Sequence, residues 1–221
     1  MEVLKFRTET PSCPGVVLAG GRSSRMGGRD KALLPLGADR MIDHVLMRLV
    51  PQCSAVALNR NGGSAPLAGL GLQFLSDPFP GYPGPLAGIL SAMEWAAGQG
   101  ASHVVTVAVD TPFFPGNLVA RLWASKTDTS GPVLASCPDE AGVSRLHPAF
   151  GLWPASLRAD ARKALIDGKR KVRQWAKGLD PAIAEFDRLS YDPFLNVNTP
   201  QDLARAERLL PLVNRQQRQT T

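Results

Sequence analysis

The chain has 221 residues, 44% of them hydrophobic, and a formal net charge of +6 at pH 7. This length and composition allow a sizeable core without metal or disulfide support. The three cysteines are odd in number, far apart and form no CxxC pair, which argues against a secreted disulfide framework or a zinc site. The chain shows neither a signal-peptide apolar region nor the roughly 20 apolar residues of a membrane span, so we expect a cytoplasmic protein.

Apolar runs rich in β-branched residues alternate along the chain with segments of helical periodicity. Strands are predicted at residues 15–19, 55–59, 72–75, 104–109, 133–136 and 149–153. Helices are predicted at 41–50, 117–124, 156–166 and 201–210, and after Pro85, where Leu86, Ile89, Leu90, Met93 and Ala97 share one face. Strands separated by helices favour an α/β fold with a mostly parallel, doubly wound sheet. We expect one domain over 1–213 and a disordered tail over 214–221.

The first predicted strand runs into a glycine-rich loop that carries basic residues. The segment 16–36 reads VVLAGGRSSRMGGRDKALLPL. Glycines bring main-chain N–H groups close to an anion, and Arg25 and Lys31 supply positive charge. The loop has neither the GK[ST] of a Walker A motif nor a GxGxxG motif. It therefore predicts a phosphate-binding loop of another kind, the alternative being two cations on a flexible surface loop.

Asp110 ends the apolar run VVTVAV of residues 104–109. In doubly wound sheets ligands lie beyond the carboxyl ends of the strands, so Asp110 is expected to face the same crevice as the glycine-rich loop. Magnesium is typically held by one or two carboxylates together with substrate phosphate oxygens, which makes Asp110 a candidate Mg²⁺ ligand. The alternative is a turn or N-cap aspartate in Asp-Thr-Pro.

Two further polar residues follow predicted strands. Asn59 closes the second strand and has the chemistry to bind a base or ribose, although asparagine at a strand end also suits a turn. Asp77 precedes a proline and would accept hydrogen bonds from guanine N–H groups or a ribose hydroxyl. The alternative role for Asp77 is simple turn initiation.

The motif NVNTP, residues 196–200, contains a helix start and two asparagines that the helix start does not explain. Thr199 is predicted as the N-cap with Pro200 at the first helical position. Asn196 and Asn198 are two residues apart on an extended segment, so they point to the same face. His147 is predicted as a packed strand residue and not as a general base.

Five blocks of sequence, in this order, resemble the molybdenum cofactor guanylyltransferase family of nucleotidyltransferases. They are LAGGRSSRMGGRDK at 18–31, DPFPGYPGPLAG at 77–88, VVTVAVDTP at 104–112, RLHPAFGLWP at 145–154 and FLNVNTPQDL at 194–203. The resemblance implies a Rossmann-like three-layer α/β/α nucleotidyltransferase fold. It also implies transfer of GMP from GTP to the terminal phosphate of molybdenum-molybdopterin, which forms molybdopterin guanine dinucleotide and releases pyrophosphate.

The resemblance also implies roles for individual residues. The implied catalytic residues are Arg25, Lys31 and Asp110, with Mg²⁺ on Asp110. The implied nucleotide-binding residues are Leu18, Ala19, Gly20, Gly21, Lys31, Asn59, Asp77 and Asp110, and the pterin-binding residues are Asn196 and Asn198. Because these two sets lie far apart in the chain, replacing Asn198 is expected to leave GTP affinity nearly unchanged. The implied partners, besides both substrates, are molybdenum-insertion proteins or molybdoenzyme chaperones in transient contact, with no membrane and no nucleic acid.

Two departures from the family pattern lie on the pterin side. Gly81 stands where an acidic residue often precedes the Tyr-Pro-Gly-Pro block, and the basic stretch RKALIDGKRKVRQWAK at 162–177 matches loosely after Gly168. That stretch is expected to be a solvated helix face. The alternatives are a cytidylyltransferase or sugar-phosphate nucleotidyltransferase of the same fold, and a non-catalytic nucleotide- or RNA-binding protein suggested by the basic charge.

Overall fold

The computed structural model describes residues 12–20, 30–63, 65–80 and 84–220, the last four through their main chain only. Its strands are β1 Gly15–Leu18, β2 Pro35–Leu36, β3 Asp39–Arg40, β4 Val56–Asn59, β5 Gln73–Leu75, β6 His103–Ala108, β7 Val133–Pro138, β8 Ser144–Pro154 and β9 Ala182–Glu185. Its α-helices are α1 Met41–Leu49, α2 Pro85–Gly98, α3 Leu118–Ala124, α4 Arg158–Ile166, α5 Val172–Lys177 and α6 Pro200–Thr220. Each predicted strand and helix therefore has a counterpart.

The central sheet has seven strands in the order β5-β4-β1-β6-β8-β7-β9. Strand β8 runs antiparallel to both of its neighbours, and the other pairs are parallel, which confirms the mostly parallel sheet. The chain moves outward from β1 through β4 to β5 and then returns to place β6 on the other side of β1. The order of strands therefore reverses between β1 and β6, and such a switch point is where doubly wound sheets bind ligands.

Helices cover both faces of this sheet, because the buried strands are apolar on both sides. In β1, Val17 packs in a core with residues of α1 and α3, whereas Val16 and Leu18 pack in a second core with residues of α2, α4 and α5. A third apolar cluster joins α6, through Ala206 and Val213, to residues that include Leu36 and Phe113. The expected three-layer α/β/α arrangement is confirmed.

Helix α2 has the buried face that its sequence periodicity predicts. Leu86, Ile89, Leu90 and Met93 are fully buried, and Pro85 occupies the first helical position. Gly84 precedes it with φ of +93°, a conformation that side chains disfavour. The first turn of α2 is therefore fixed close to the carboxyl ends of β1 and β4.

The carboxyl-terminal third differs from the prediction. Strand β9 and helix α5 were not predicted, and α6 continues to Thr220, so residues 214–220 extend a helix where the sequence suggests disorder. Arg215 and Gln216 have nearly the helix propensity of alanine, and Val213 is buried, which together favour continuation. No helix among the described residues combines the length and apolar content that crossing a membrane requires.

The basic stretch 162–177 spans the end of α4, a turn at Gly168 and all of α5. Its lysines and arginines are exposed, as predicted, whereas Val172, Trp175 and Ala176 are buried against the sheet. All three cysteines are unpaired. Burial raises the pKa of Cys53 to about 12 and that of Cys137 to about 11, so both thiols stay protonated at neutral pH.

Candidate active site

The carboxyl ends of β1, β4 and β6 bring three loops to one edge of the sheet. Just beyond β1, the main-chain N–H of Ala19 donates to the Asn59 carbonyl at 2.9 Å, and the N–H of Val109 donates to the Leu18 carbonyl at 3.1 Å. Ladder pairing thus continues past the strand ends, and it places Gly20 and Asp110 at the same edge of the sheet.

Lys31 joins two predicted site residues that are remote in sequence. Its ammonium donates to Asp110 Oδ2 at 2.9 Å and to Asn198 Oδ1 at 2.5 Å. The Lys31 and Asp110 side chains are 20% and 22% exposed, so the pair is shielded but open to a ligand. A cation, a carboxylate and an amide therefore meet at the switch point.

Asp30 holds Lys31 in place, a role that the sequence does not predict. Its Oδ1 accepts from the Ala32 N–H at 3.0 Å and caps the short 3-10 helix that carries Lys31, and its Oδ2 forms an ion pair with Arg60. The Arg60 Nε also donates to the Gly63 carbonyl at 2.9 Å. The downstream end of the glycine-rich loop is thus fixed to the residue that follows β4.

Asp77 is oriented by two asparagines. Its Oδ1 accepts from the Asn59 amide at 3.0 Å, and its Oδ2 accepts from the Asn61 amide at 2.5 Å. In return, the Asp77 N–H donates to Asn61 Oδ1 at 2.9 Å. The structure therefore brings the predicted residues Asn59 and Asp77 together and adds Asn61. Sequence reasoning missed Asn61, and the only sequence pattern that points to it is the polar tripeptide of residues 59–61.

Gly88, the last residue of the PGPLAG block, is required by the close approach of α2 to Asn59. A Cβ at position 88 would lie 2.4 Å from Asn59 Oδ1 and 3.0 Å from a Leu18 methyl. Real Cβ atoms do not approach so closely, so a side chain would displace the Asn59 amide from Asp77. The lack of a side chain at Gly88 thus preserves the hydrogen bond between Asn59 and Asp77.

From the nucleotide-binding role that the family resemblance implies for Asn59 and Asp77, we expect Gly88→Ala to weaken GTP binding about tenfold, the cost of losing one hydrogen bond to a charged group. Gly98→Ala in the same helix is the matched control, because a Cβ there meets nothing within 4 Å. Alanine is the better helix former by up to about 1 kcal/mol, so Gly98→Ala should raise the unfolding temperature and keep GTP affinity. Nucleotide titrations of the two variants test this, and equal GTP affinity in both would contradict the role of Gly88.

The segment 196–198 is attached to the end of β6. The buried Thr111 hydroxyl donates to Asn196 Oδ1 at 2.6 Å, and the Val197 N–H donates to the Asp110 carbonyl at 2.7 Å. Asn196 is exposed, Val197 is buried and Asn198 is partly exposed, an alternation that agrees with the prediction that the two asparagines point to the same face. Thr199 accepts from the Asp202 N–H at 3.1 Å and so caps α6 as expected.

The contact between Lys31 and Asn198 corrects one expectation. The distance in sequence between nucleotide and pterin residues suggests two independent sets, but folding places Asn198 on a lysine of the nucleotide set. Removal of Asn198 would also loosen Lys31, so an unchanged GTP affinity is no longer expected.

The remaining predicted positions are placed as follows. His147 in β8 stacks on Phe194 with ring centroids 4.3 Å apart, and burial lowers the pKa of its imidazole, in agreement with a packed residue. Leu18 is buried and Gly20 is exposed. Gly21 and Arg25 lie outside the described residues, as does Gly81.

Comparison with known proteins decides the family. Residues 15–183 match the sequence model of the MobA-like NTP transferase domain. This chain belongs to that family. A molybdenum cofactor guanylyltransferase of Rhodopseudomonas palustris (strain BisB5) is 42% identical to this MobA-like chain over 202 residues, which cover 90% of this chain and 94% of that protein.

Solved structures share the fold of this MobA-like chain. The molybdopterin-guanine dinucleotide biosynthesis protein A of Archaeoglobus fulgidus superposes with a TM-score of 0.66 at 22% identity, covering 90% of this chain and 98% of that protein. The 2-C-methyl-D-erythritol 4-phosphate cytidylyltransferase of Thermus thermophilus gives the same TM-score, identity and coverage. The fold alone therefore does not distinguish guanylyl from cytidylyl transfer.

Proposed function

We propose that this chain transfers GMP from GTP to the terminal phosphate of molybdenum-molybdopterin, forming molybdopterin guanine dinucleotide and releasing pyrophosphate. The observation that carries the proposal is the meeting of Lys31, Asp110 and Asn198 at the switch point of the sheet. A relative supports the same reaction, since a protein 42% identical is a molybdenum cofactor guanylyltransferase.

The proposed reaction needs no general base. A phosphate monoester has a second pKa of about 6, so the acceptor phosphate is largely a dianion at neutral pH and attacks the α-phosphorus of GTP in line. The contribution of the protein is then positioning and positive charge. Lys31 would stabilise the phosphates, together with Arg25, which the family resemblance assigns to the triphosphate. Pyrophosphate leaves as the bond between the α- and β-phosphates breaks.

Asp110 suits a magnesium site completed by substrate. Among the described residues there is no group of three or more His, Cys, Asp or Glu side chains that would hold a metal alone. Magnesium does not need such a group, because it keeps several waters and takes one or two carboxylates plus substrate phosphate oxygens. Asp110 Oδ2 accepts from Lys31, while Oδ1 accepts, among the described residues, only from the Thr111 hydroxyl at a long distance of 3.4 Å, so Oδ1 suits a metal ion. Bound there, Mg²⁺ supplies positive charge to the phosphates that develop negative charge.

The Asp77 carboxylate is the proposed reader of guanine. Guanine presents the N1–H and N2–H donors, and each carboxylate oxygen has a second lone pair beyond the one used by Asn59 or Asn61. A base without those donors would leave these second lone pairs desolvated and without hydrogen-bond donors, which lowers the affinity for that base.

We place this reaction in the cytoplasm. Three unpaired cysteines, two of them buried, suit a reducing compartment.

The proposal is tested by magnesium-dependent pyrophosphate release from GTP, ATP and CTP with molybdopterin as the acceptor. We expect GTP to be used at least about tenfold better than ATP and CTP, the cost of an unpaired polar group in the base site. Comparable turnover with CTP would assign the chain to the cytidylyltransferases that share its fold. Salt-sensitive RNA binding without turnover of any nucleotide would instead favour a non-catalytic RNA-binding protein.

We expect Asn198→Ala to weaken molybdopterin binding about tenfold to a hundredfold and to weaken GTP binding by a smaller factor. The reason is that the amide holds Lys31 as well as facing the proposed pterin side. Affinities for both ligands and the melting temperature are measured on Asn198→Ala and on the control Asn214→Ala, an exposed position on α6. Losses confined to the melting temperature would show that Asn198 is only structural.

A further inference from the structure

A cavity of about 740 Å³ lies on the α1 and α3 side of the sheet. Its described walls are the carboxyl-terminal end of α1, the segment 113–117 before α3, the segment 186–191 after β9, Arg121 of α3 and Gln216 of α6. None of the described residues assigned above to GTP or to the pterin lines it. The proposed reaction therefore leaves this cavity without a role.

Arg48 is a buried cation in the cavity wall. The residue is only 5% exposed, and its guanidinium lies 5.9 Å from the centre of the Phe113 ring. Within the described part of the chain, its hydrogen-bond acceptor is the His44 carbonyl at 3.1 Å, and it forms no ion pair with a carboxylate. Burial lowers the pKa of this guanidinium, and an arginine remains charged nonetheless. A buried charge without a counter-ion is costly, which points to a missing anion.

Arg121, which is partly exposed, is the second arginine in the described lining of the cavity. Its guanidinium lies 5.1 Å from the centre of the Phe186 ring and donates to the Glu185 carbonyl, again with no carboxylate partner among the described residues. Asp187 is the one acidic residue in the described lining, and among the ion pairs of the described residues none joins it to either arginine. Phe113 and Tyr191 meet edge to face nearby, at 6.1 Å between ring centres. The lining thus combines two guanidinium groups with aromatic rings.

We propose that this cavity binds a small organic anion, with Arg48 as the counter-ion of its anionic group and the aromatic rings around its apolar body. Guanidinium groups bind carboxylate, sulfonate or phosphate oxygens through paired N–H donors, and apolar walls with few polar groups are typical of small-molecule sites. The ligand class is an aromatic acid or an ester of phosphate with an aromatic body.

The test uses two fluorescent probes of the same framework. 8-Anilinonaphthalene-1-sulfonate carries an anionic group, and N-phenyl-1-naphthylamine is its neutral counterpart. We expect one sulfonate probe to bind per chain, and Arg48→Met to weaken that binding about tenfold to a hundredfold, as loss of a hydrogen-bonded charge pair does. The affinity of Arg48→Met for the neutral probe should stay within about twofold of that of the unaltered protein, because the contacts of the probe's apolar body are unaffected.

Three variants make the result specific to this cavity. Arg121→Met should weaken the sulfonate probe alone, whereas Arg173→Met, at an exposed arginine of α5, and Lys31→Met should leave it unchanged. Circular dichroism and thermal unfolding verify each fold, and Arg121→Met carries the test if Arg48→Met does not fold. Unchanged sulfonate binding in both arginine variants, equal losses for both probes, or loss of binding in Lys31→Met would each overturn the proposal.

Discussion

Replacement of Asp110 by asparagine should lower turnover by about 10³-fold or more, because it removes the carboxylate proposed to hold Mg²⁺ at the site of charge development. The fold should remain, since Asp110 lies at the end of β6 and the amide keeps its shape. The lost ion pair with Lys31 is partly exposed, and such pairs contribute at most about 1 kcal/mol, equivalent to a shift of the unfolding temperature of about 4 °C at this chain length. Pyrophosphate release as a function of Mg²⁺ concentration and a thermal melt measure both quantities.

Asp139→Asn is the control for this substitution. Asp139 also forms an ion pair, with Arg145 at 2.8 Å, but it lies on the turn between β7 and β8. The Asp139→Asn variant should therefore keep full turnover. If Asp110→Asn retained turnover within tenfold of the unaltered protein, with Mg²⁺ still required, Asp110 would not be the metal ligand.

Lys31→Met should lower turnover by about 10² to 10³-fold, since electrostatic groups aimed at developing charge contribute of this order. Lys31→Arg should recover little of the lost turnover, because a planar guanidinium does not reproduce the two contacts that the single Lys31 nitrogen makes with Asp110 and Asn198. Lys163→Met, at an exposed lysine of α4, is the matched control and should be neutral.

A double substitution of Lys31 and Asp110 separates a joint role from two independent ones. If the two residues act on the same phosphates, the double variant should be about as slow as the slower single variant, because groups that act as a unit are strongly non-additive. Multiplication of the two losses would indicate independent roles, and turnover by Lys31→Met close to the original level would remove Lys31 from the mechanism.

The predictable parts of this fold are those with a local signal. Strand β6 is apolar after His103 except at Thr106, and α2 has five apolar residues at helical spacing, so both are predicted from the sequence. Strand β9 has four residues with Ile183 and Glu185 exposed, and only its pairing with β7 makes it a strand. Helix α5 has six residues in a basic stretch and is stabilised by burial of Trp175. Tertiary contacts decide such short elements.

In the candidate site, too, the predictable residues are those with a local sequence signal. Asp110 and the glycine-rich loop could be predicted as site elements because strand ends and glycines are visible in one sequence. The roles of Asp30 and Arg60 depend on where the chain after β4 meets the chain after the loop, and Asn61 depends on the return of the chain at Asp77. These pairs have no fixed sequence spacing, so only the folded chain shows them.

The hydrogen bond between Lys31 and Asn198 joins residues 167 positions apart. During synthesis from the amino terminus at about 5 to 20 residues per second, Asn198 follows Lys31 by on the order of 10 to 30 s. A nascent chain that has already formed β1, β4 and β6 still lacks Asn198, the second hydrogen-bond partner of Lys31. Closing the long loop between these two residues is also entropically costly. The capacity to bind both substrates should therefore arise at the end of folding, after the segment before α6 has docked onto Asp110 and Thr111.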